Sequence, residues 1–209
     1  MEKKKLFGLT LSELSEVVRD ASLPPYAAKQ IAGWLYHRGA PAIGAMTDLS
    51  LAARKILEKD YETGLNPPVS ESSASDGTKK YLFRVGENRF IETVFIPDHD
   101  RATICLSVQL GCRMGCRFCM TARQGFQGNL SANEILNQFR SLPEHDALTN
   151  IVFMGMGEPL DNLEEVLRCL EILTSDWGYG WSPTRITVST TGITGRIEEF
   201  LNKSKCHLA

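Results

Sequence analysis

The chain has 209 residues, 43% hydrophobic and 23% charged, with a formal net charge of −2. This is the balance of a globular protein, and it excludes collagen-like, coiled-coil and wholly disordered chains. No apolar run approaches the roughly 18–20 residues that span a bilayer, and the basic start Lys3-Lys4-Lys5 lacks the apolar stretch of a secretory signal, so a cytoplasmic protein with no membrane partner is expected. A net charge this small does not make the whole chain an electrostatic nucleic-acid binder, and any such contact has to be a local patch.

Leu11, Leu14, Val17, Val18 and Ala21 recur at the helical period, and Thr10 with Glu13 forms a capping-box start. Pro24-Pro25 breaks this helix and opens a second, which carries Ile31, Trp34 and Leu35 and stops at Gly39. A third helix is predicted from Ser50 to about Asp60, burying Leu51, Ile56 and Leu57. These make a small helical bundle over residues 1–62. Its mixed charges by themselves describe a packing or partner-binding module.

Pro, Ser and Gly dominate from Gly64 to Gly77, which reads as a linker or exposed loop. Lys80–Val85 and Arg89–Ile96 then flank Gly86-Glu87-Asn88 as a β-hairpin, so residues 63–97 are predicted to be linker plus hairpin. Side chains alternate along the second strand, placing Glu92 with Phe90, Val94 and Ile96. A covered face would desolvate this carboxyl and raise its pKa, a setting for an acid/base residue. An edge strand with Glu92 in water is the alternative.

Residues 98–209 alternate strand and helix. Thr103–Leu110 reads as a strand, and Ser131 with Glu134 opens a helix carrying Ile135, Leu136 and Phe139. Ile151–Met154 is a short buried strand. Asn162 caps a helix running to about Thr174, with Val166, Leu167, Leu170 and Leu173 inward. Arg185–Ser189 is a strand, Ile197, Phe200 and Leu201 fit a helix, and Cys206–Ala209 reads as the start of another strand. This order predicts an α/β fold with a parallel sheet or barrel. A full (β/α)8 barrel takes about 250 residues and only about 110 follow residue 100, so the barrel is expected to be partial and truncated. A small open sheet is the alternative.

All six cysteines lie at or beyond residue 105, and three of them, Cys112, Cys116 and Cys119, fall within eight residues with C-x3-C-x2-C spacing. Disulfide scaffolds spread their cysteines to close loops, so this triplet reads as a metal or cluster site in a reducing compartment. It follows a strand of the α/β region, where such folds build their sites. Three thiolates on one loop can hold three irons of a cubane and leave the fourth iron open to a ligand. Structural zinc wants four ligands in paired spacings, and His145 has no second pair. Ferredoxin spacings also differ and need a fourth cysteine. Cys105 and Cys169 read as core residues.

C-x3-C-x2-C with Phe118 before its last cysteine resembles the signature of the radical S-adenosylmethionine enzymes. Gln109-Leu110-Gly111-Cys112, Gln124-Gly125-Phe126, Phe153 through Leu160 and Arg185 through Gly192 narrow the likeness to the RlmN/Cfr group of RNA adenine methyltransferases. Asp76 through Tyr81 and Glu92 through Pro97 also resemble that group. The likeness runs from about residue 10 to the end of the chain.

The resemblance implies a radical SAM (β/α) core over residues 98–209 and a helical accessory, RNA-binding-like domain at the front. It implies a [4Fe–4S] cluster on Cys112, Cys116 and Cys119, whose open iron binds S-adenosylmethionine and cleaves it reductively to a radical. It further implies cofactor contacts from Gly157, Glu158 and Ser189, and Glu92 as proton acceptor. Residue chemistry agrees in part, because glycines let the backbone approach a ligand and Glu158 can accept from an ammonium. The implied reaction methylates C2 of adenine in 23S rRNA and tRNA through a methyl-cysteine that is not present in this chain, with an electron-donating reductase or flavodoxin-like partner. C8 methylation of the Cfr type and a non-catalytic iron–sulfur or zinc protein are the alternatives. Arg101, Arg113, Arg117 and Arg123 stand in an acid-free stretch. They can meet phosphates or balance the cluster's charge.

Overall fold

A computed structural model of the chain describes residues 3–209, so Met1 and Glu2 of the expected front domain lie outside the described residues. The chain divides into two compact units. One runs to Leu65 and includes Glu171–Trp181; the other comprises Asn66–Leu170 and Ser182–Ala209.

The first unit is helical. Its short strand β1 (Lys4–Lys5) pairs in parallel with β2 (Tyr61–Glu62), tying its two ends together. Helix α1 (Leu11–Asp20) begins with the predicted capping box between Thr10 and Glu13, which satisfies two otherwise orphaned N–H groups. Helix α2 (Ala27–Ala32) follows the proline pair and continues as a wider π-helical turn, Gly33–His37. Helix α3 (Leu51–Asp60) is capped by Ser50. Leu57 is fully buried there as expected, but Leu51 and Ile56 are exposed and Ala53 takes the second core position. The reason is angular: Ala53 and Leu57 are four residues apart on one face, and Leu51 and Ile56 point away from it. Residues 171–181, expected in the strand–helix region, belong to this unit through an aromatic cluster. Tyr36 meets Trp177 and Tyr179 edge-on at 5.9 and 5.7 Å, while its hydroxyl accepts from Gly8 N and donates to the Leu9 carbonyl.

The second unit is built on a seven-stranded sheet. In chain order its strands are β3 (Ser70–Ser73), β4 (Lys79–Arg84), β5 (Phe90–Asp98), β6 (Arg101–Cys105), β9 (Asn150–Phe153), β10 (Ile186–Val188) and β11 (His207–Leu208); β7 (Gln109–Leu110) and β8 (Gly128–Asn129) form a separate small ribbon. β3 to β6 run antiparallel, and β6, β9, β10 and β11 run parallel. The hairpin therefore belongs to the same sheet as the parallel strands. Part of the stretch read as linker or loop is its edge strand β3, whose four side chains are all exposed. Backbone pairing to β4 makes that strand, and no apolar pattern marks it.

Helices α4 (Met120–Arg123), α5 (Ala132–Arg140), α6 (Leu163–Thr174) and α7 (Arg196–Lys203) lie between the later strands. One sheet face carries Tyr81, Phe83, Ile91, Thr93, Phe95, Ile104, Ile151, Phe153, Ile186 and Val188, all buried. α5 sits against it: Gln138, fully buried, accepts from the Thr93 hydroxyl at 2.7 Å. The other face carries Leu82, Glu92, Val94, Ile96, Cys105, Val152 and Thr187, all at least partly exposed. Cys105 is thus only partly buried on this less covered face, whereas Cys169 is fully buried as expected.

The core-side rim holds one charged cluster. Glu144 accepts from Lys79 Nζ at 2.6 Å and from the Tyr81 hydroxyl at 2.8 and 2.9 Å. Burial pushes the Glu144 carboxyl up, but the Lys79 and Tyr81 hydrogen bonds outweigh it and hold the group below its ordinary value. Above the unfolded carboxyl's pKa, near 4.5, both states are ionised and the stabilisation is fully present. It is lost as pH falls through the lower native value, because the unfolded chain binds its proton first. Glu144→Gln is expected to cost about 1 kcal/mol at pH 7, discounted for partial exposure. That difference should shrink steadily below about pH 4 in urea titrations of both proteins.

Candidate active site

The parallel strands end side by side, and the loops leaving those ends build the site. The expected strand 103–110 is broken here. After β6 the chain is held by Ser107, whose N–H donates to Gln138 Oε1 and whose carbonyl accepts from Gln138 Nε2, both at 2.9 Å. The Ser107 hydroxyl donates to the Glu92 carbonyl and accepts from Met156 N. This local bonding turns the chain out of the sheet and into the β7–β8 ribbon.

That ribbon closes the base of the cysteine loop. Gly111 has φ of +73°, and a Cβ there would stand 1.7 Å from the Gly125 carbonyl oxygen. Only glycine lets the two ends of the loop meet. Cys112 is buried; Cys116 and Cys119 are partly exposed. Burial pushes the Cys112 thiol up, a Met114 N–H contact offsets part of this, and nearby Cys119, Glu158 and Cys116 push it the same way as burial. Phe118, between the last two cysteines, is 91% exposed. All three cysteines line one cleft of about 300 Å³ together with Gly155, Gly157, Glu158 and Ser189. Among the described residues no three His, Cys, Asp or Glu side chains are gathered into a metal-holding set. The thiols face a shared space and do not converge on a point. The other three cysteines, Cys105, Cys169 and Cys206, are all held as thiols, chiefly by burial.

The opposite wall is the loop after β9. Gly157 has φ of +99°, and a Cβ there would lie 2.5 Å from Gln109 Cβ. Glu158 is 3% exposed. Its Oε1 accepts from Leu160 N at 3.0 Å and the Thr190 hydroxyl at 2.7 Å. Its Oε2 accepts from Thr191 N at 2.9 Å and the Thr191 hydroxyl at 3.0 Å. A carboxylate has about four lone-pair positions, so this one is filled by protein donors. The acceptor for an ammonium that the sequence suggests is here a brace between two loops. Ser189, at the end of β10, is half-buried and lines the cleft as a neighbour of that brace. Asn162, expected to cap α6, instead donates to the Val108 and Leu130 carbonyls at 2.9 and 2.8 Å.

Glu92 stands apart. It does not line the cleft, its side chain is 48% exposed, and it pairs with Lys80 Nζ at 3.0 Å. β5 is flanked by β4 and β6, so Glu92 is not on an edge strand, but its sheet face is open and the desolvated setting considered from sequence is absent. Its position is still informative. β5 runs antiparallel to β6 with Val94 opposite Cys105, which places Glu92 at the end of the sheet from which the cysteine loop emerges.

Sequence reading missed Gln109, Asp161, Thr190 and Thr191 as individual parts of the site. Gln109 is fully buried, and a long polar side chain between Val108 and Leu110 is a legible sign of a bonded partner. The threonines carry no such signal.

The comparisons bear on this geometry. A family model described as the Radical SAM superfamily matches residues 106–205, and one described as the ribosomal RNA large subunit methyltransferase N-terminal domain matches residues 4–62. The chain is 58% identical to a protein of Phocaeicola vulgatus named a probable dual-specificity RNA methyltransferase RlmN, over 99% of this chain and 59% of that one. Along its length this chain resembles the RlmN group of the radical SAM superfamily. It is also 54% identical to a Bacteroides fragilis protein of the same name, covering 100% of this chain and 61% of the relative. A crystal structure of a radical SAM methyltransferase from Sphaerobacter thermophilus superposes with a TM-score of 0.88 at 38% identity, covering 98% of this chain and 62% of that one. The expected α/β fold with a partial barrel agrees with that match. The chain spans about 60% of the length of these relatives.

Proposed function

We propose that the protein is a radical SAM methyltransferase acting on C2 of adenine in 23S rRNA and tRNA. Cys112, Cys116 and Cys119 line one cleft together with Gly157, Glu158 and Ser189, and this supports the reading. The donor set suits a [4Fe–4S] cluster: three soft sulfur ligands on one loop, with no fourth cysteine facing the cleft. When bound, the cluster supplies the electron that opens radical chemistry on S-adenosylmethionine. The chain's own residues do the rest. The three thiols hold the irons, and the Gly155–Pro159 loop brings backbone to the cofactor. The Glu158 brace fixes that loop against Ser189. Glu92 serves as proton acceptor from the open sheet face, where it pairs with Lys80 Nζ at 3.0 Å.

On this reading residues 1–62 are an accessory module for RNA, residues 63–97 are a linker and the antiparallel strands that extend the sheet, and residues 98–209 form the radical SAM core. Arg101, Arg117 and Arg123 supply phosphate contacts. A reductase or flavodoxin-like donor provides electrons, and the compartment is the cytoplasm. No helix among the described residues is long and apolar enough to cross a membrane.

The test is anaerobic reconstitution of the chain with iron and sulfide, followed by electron paramagnetic resonance of the reduced protein with and without S-adenosylmethionine. A cubane signal that changes on adding the cofactor is the expected result. A cluster indifferent to the cofactor, or zinc in place of iron, overturns the proposal.

A further inference from the structure

The two walls of the cleft are connected behind it by a chain of polar contacts. Gln109 Oε1 accepts from the backbone N–H of Glu158 at 2.9 Å. Gln109 Nε2 donates to Asn129 Oδ1 at 2.8 Å and to Asp161 Oδ2 at 2.7 Å. That Asp161 oxygen also pairs with Arg113 Nε at 2.8 Å. Arg113 follows Cys112 directly, and its guanidinium lies 3.9 Å from the centre of the Phe126 ring, on the returning limb of the cysteine loop. Every link is short, and Gln109 is fully buried while Asp161 is better shielded than Arg113.

We infer that Arg113, Asp161 and Gln109 are positioning residues that hold the cysteine loop and the Gly155–Pro159 loop at a fixed separation. The inference rests on the proposed use of the cleft. The Gly155–Pro159 loop is bonded to the chain after β6, through Gly155 N to the Leu106 carbonyl and the Met156 carbonyl to the Val108 and Gln109 N–H groups, and the Asp161–Arg113 pair extends this contact to the cysteine loop. The cysteine loop joins the sheet region through the short β7–β8 ribbon. The Gly157 wall presses on Gln109 itself, so the side chain that spaces the two walls also takes the Glu158 N–H. The Arg113 stack on Phe126 and its pairing with Asp161 place the residue next to Cys112 without spending a thiol. A ligand that touches both walls gains affinity from such pre-setting, because the loops need not be ordered on binding. Arg113 is thereby set apart from the other arginines of the basic stretch: its charge is directed inward to Asp161, and it is not one of the phosphate contacts.

Asp161→Ala, Arg113→Gln and the double variant test this in the reconstituted 209-residue chain. Iron and sulfide content should match the parent in all three. The cofactor concentration at half-maximal change of the cluster signal should rise about tenfold in each single variant. The double variant should be no worse than Asp161→Ala alone, since that change already removes the Arg113–Asp161 link. Amide hydrogen exchange without cluster or cofactor gives a second readout: peptides spanning 112–119 and 155–159 should both exchange faster in Asp161→Ala. Unchanged midpoints and unchanged exchange in variants of a responsive parent overturn the inference. Additive effects of the two single changes also overturn it. A parent whose cluster ignores the cofactor overturns the proposed function, and the positioning role falls with it.

Discussion

Cys116→Ala, reconstituted anaerobically, is expected to lose the cofactor-responsive cluster signal completely, while Cys105→Ser and Cys169→Ala keep it. Cys116 and its two neighbours share a cleft with the Gly155–Pro159 loop and Ser189. Cys105 lies partly buried on the less covered face of β6, and Cys169 is fully buried on α6. With one of three ligands gone, two thiols on a loop are too few to hold the irons of a cubane. The controls separate ligand loss from general damage. Cys169→Ala should cost about 1 kcal/mol in urea unfolding, because it opens a small cavity in the core, yet its iron content should be unchanged. Cys116 is partly exposed, so its replacement should leave the apo protein's unfolding midpoint within experimental error. Retention of a full cofactor response in Cys116→Ala would show that the triplet does not ligate the cluster.

Glu158→Ala should lower the stability of the apo chain by about 3 kcal/mol in urea unfolding, before any cofactor is added. The carboxylate is almost fully buried and receives two N–H and two hydroxyl donors. Threonine hydroxyls can turn to other acceptors, but the Leu160 and Thr191 N–H groups cannot, and each buried donor left unpaired costs about 1–3 kcal/mol. Glu158→Gln keeps one acceptor oxygen and should lose about half as much. A side chain whose purpose was only to meet a cofactor's ammonium would show the opposite pattern: normal apo stability and a loss confined to cofactor affinity. The two effects are coupled here, because the Thr190-Thr191 segment held by Glu158 directly follows Ser189. Loss of the brace should weaken cofactor binding as well, with the apo stability change as its signature.

Several elements needed no tertiary information. Thr10 and Ser131 cap their helices as read, because the Thr-x-x-Glu and Ser-x-x-Glu patterns satisfy their own backbone locally. Gly86–Asn88 turns its hairpin, and the C-x3-C-x2-C triplet sits in a loop after a strand. Other features depend on partners far along the chain. Ser70–Ser73 is a strand only because β4 offers it an edge. The break after Cys105 is made by Gln138, 31 residues from Ser107. For Glu92, alternation along its own strand gives its face but not whether that face is covered.

The sequence by itself determined the helical front, the strand–helix order and the cysteine triplet, since capping, periodicity and loop chemistry act over a few residues. Tertiary structure alone decided that Glu158 is a brace, that Glu92 faces an open sheet surface, and that Arg113 is turned toward Asp161. Each of these is a statement about hydrogen-bond partners or burial. Such partners lie 32 or more residues apart for the Glu158–Thr190 and Arg113–Asp161 contacts, a distance over which local pattern carries no information.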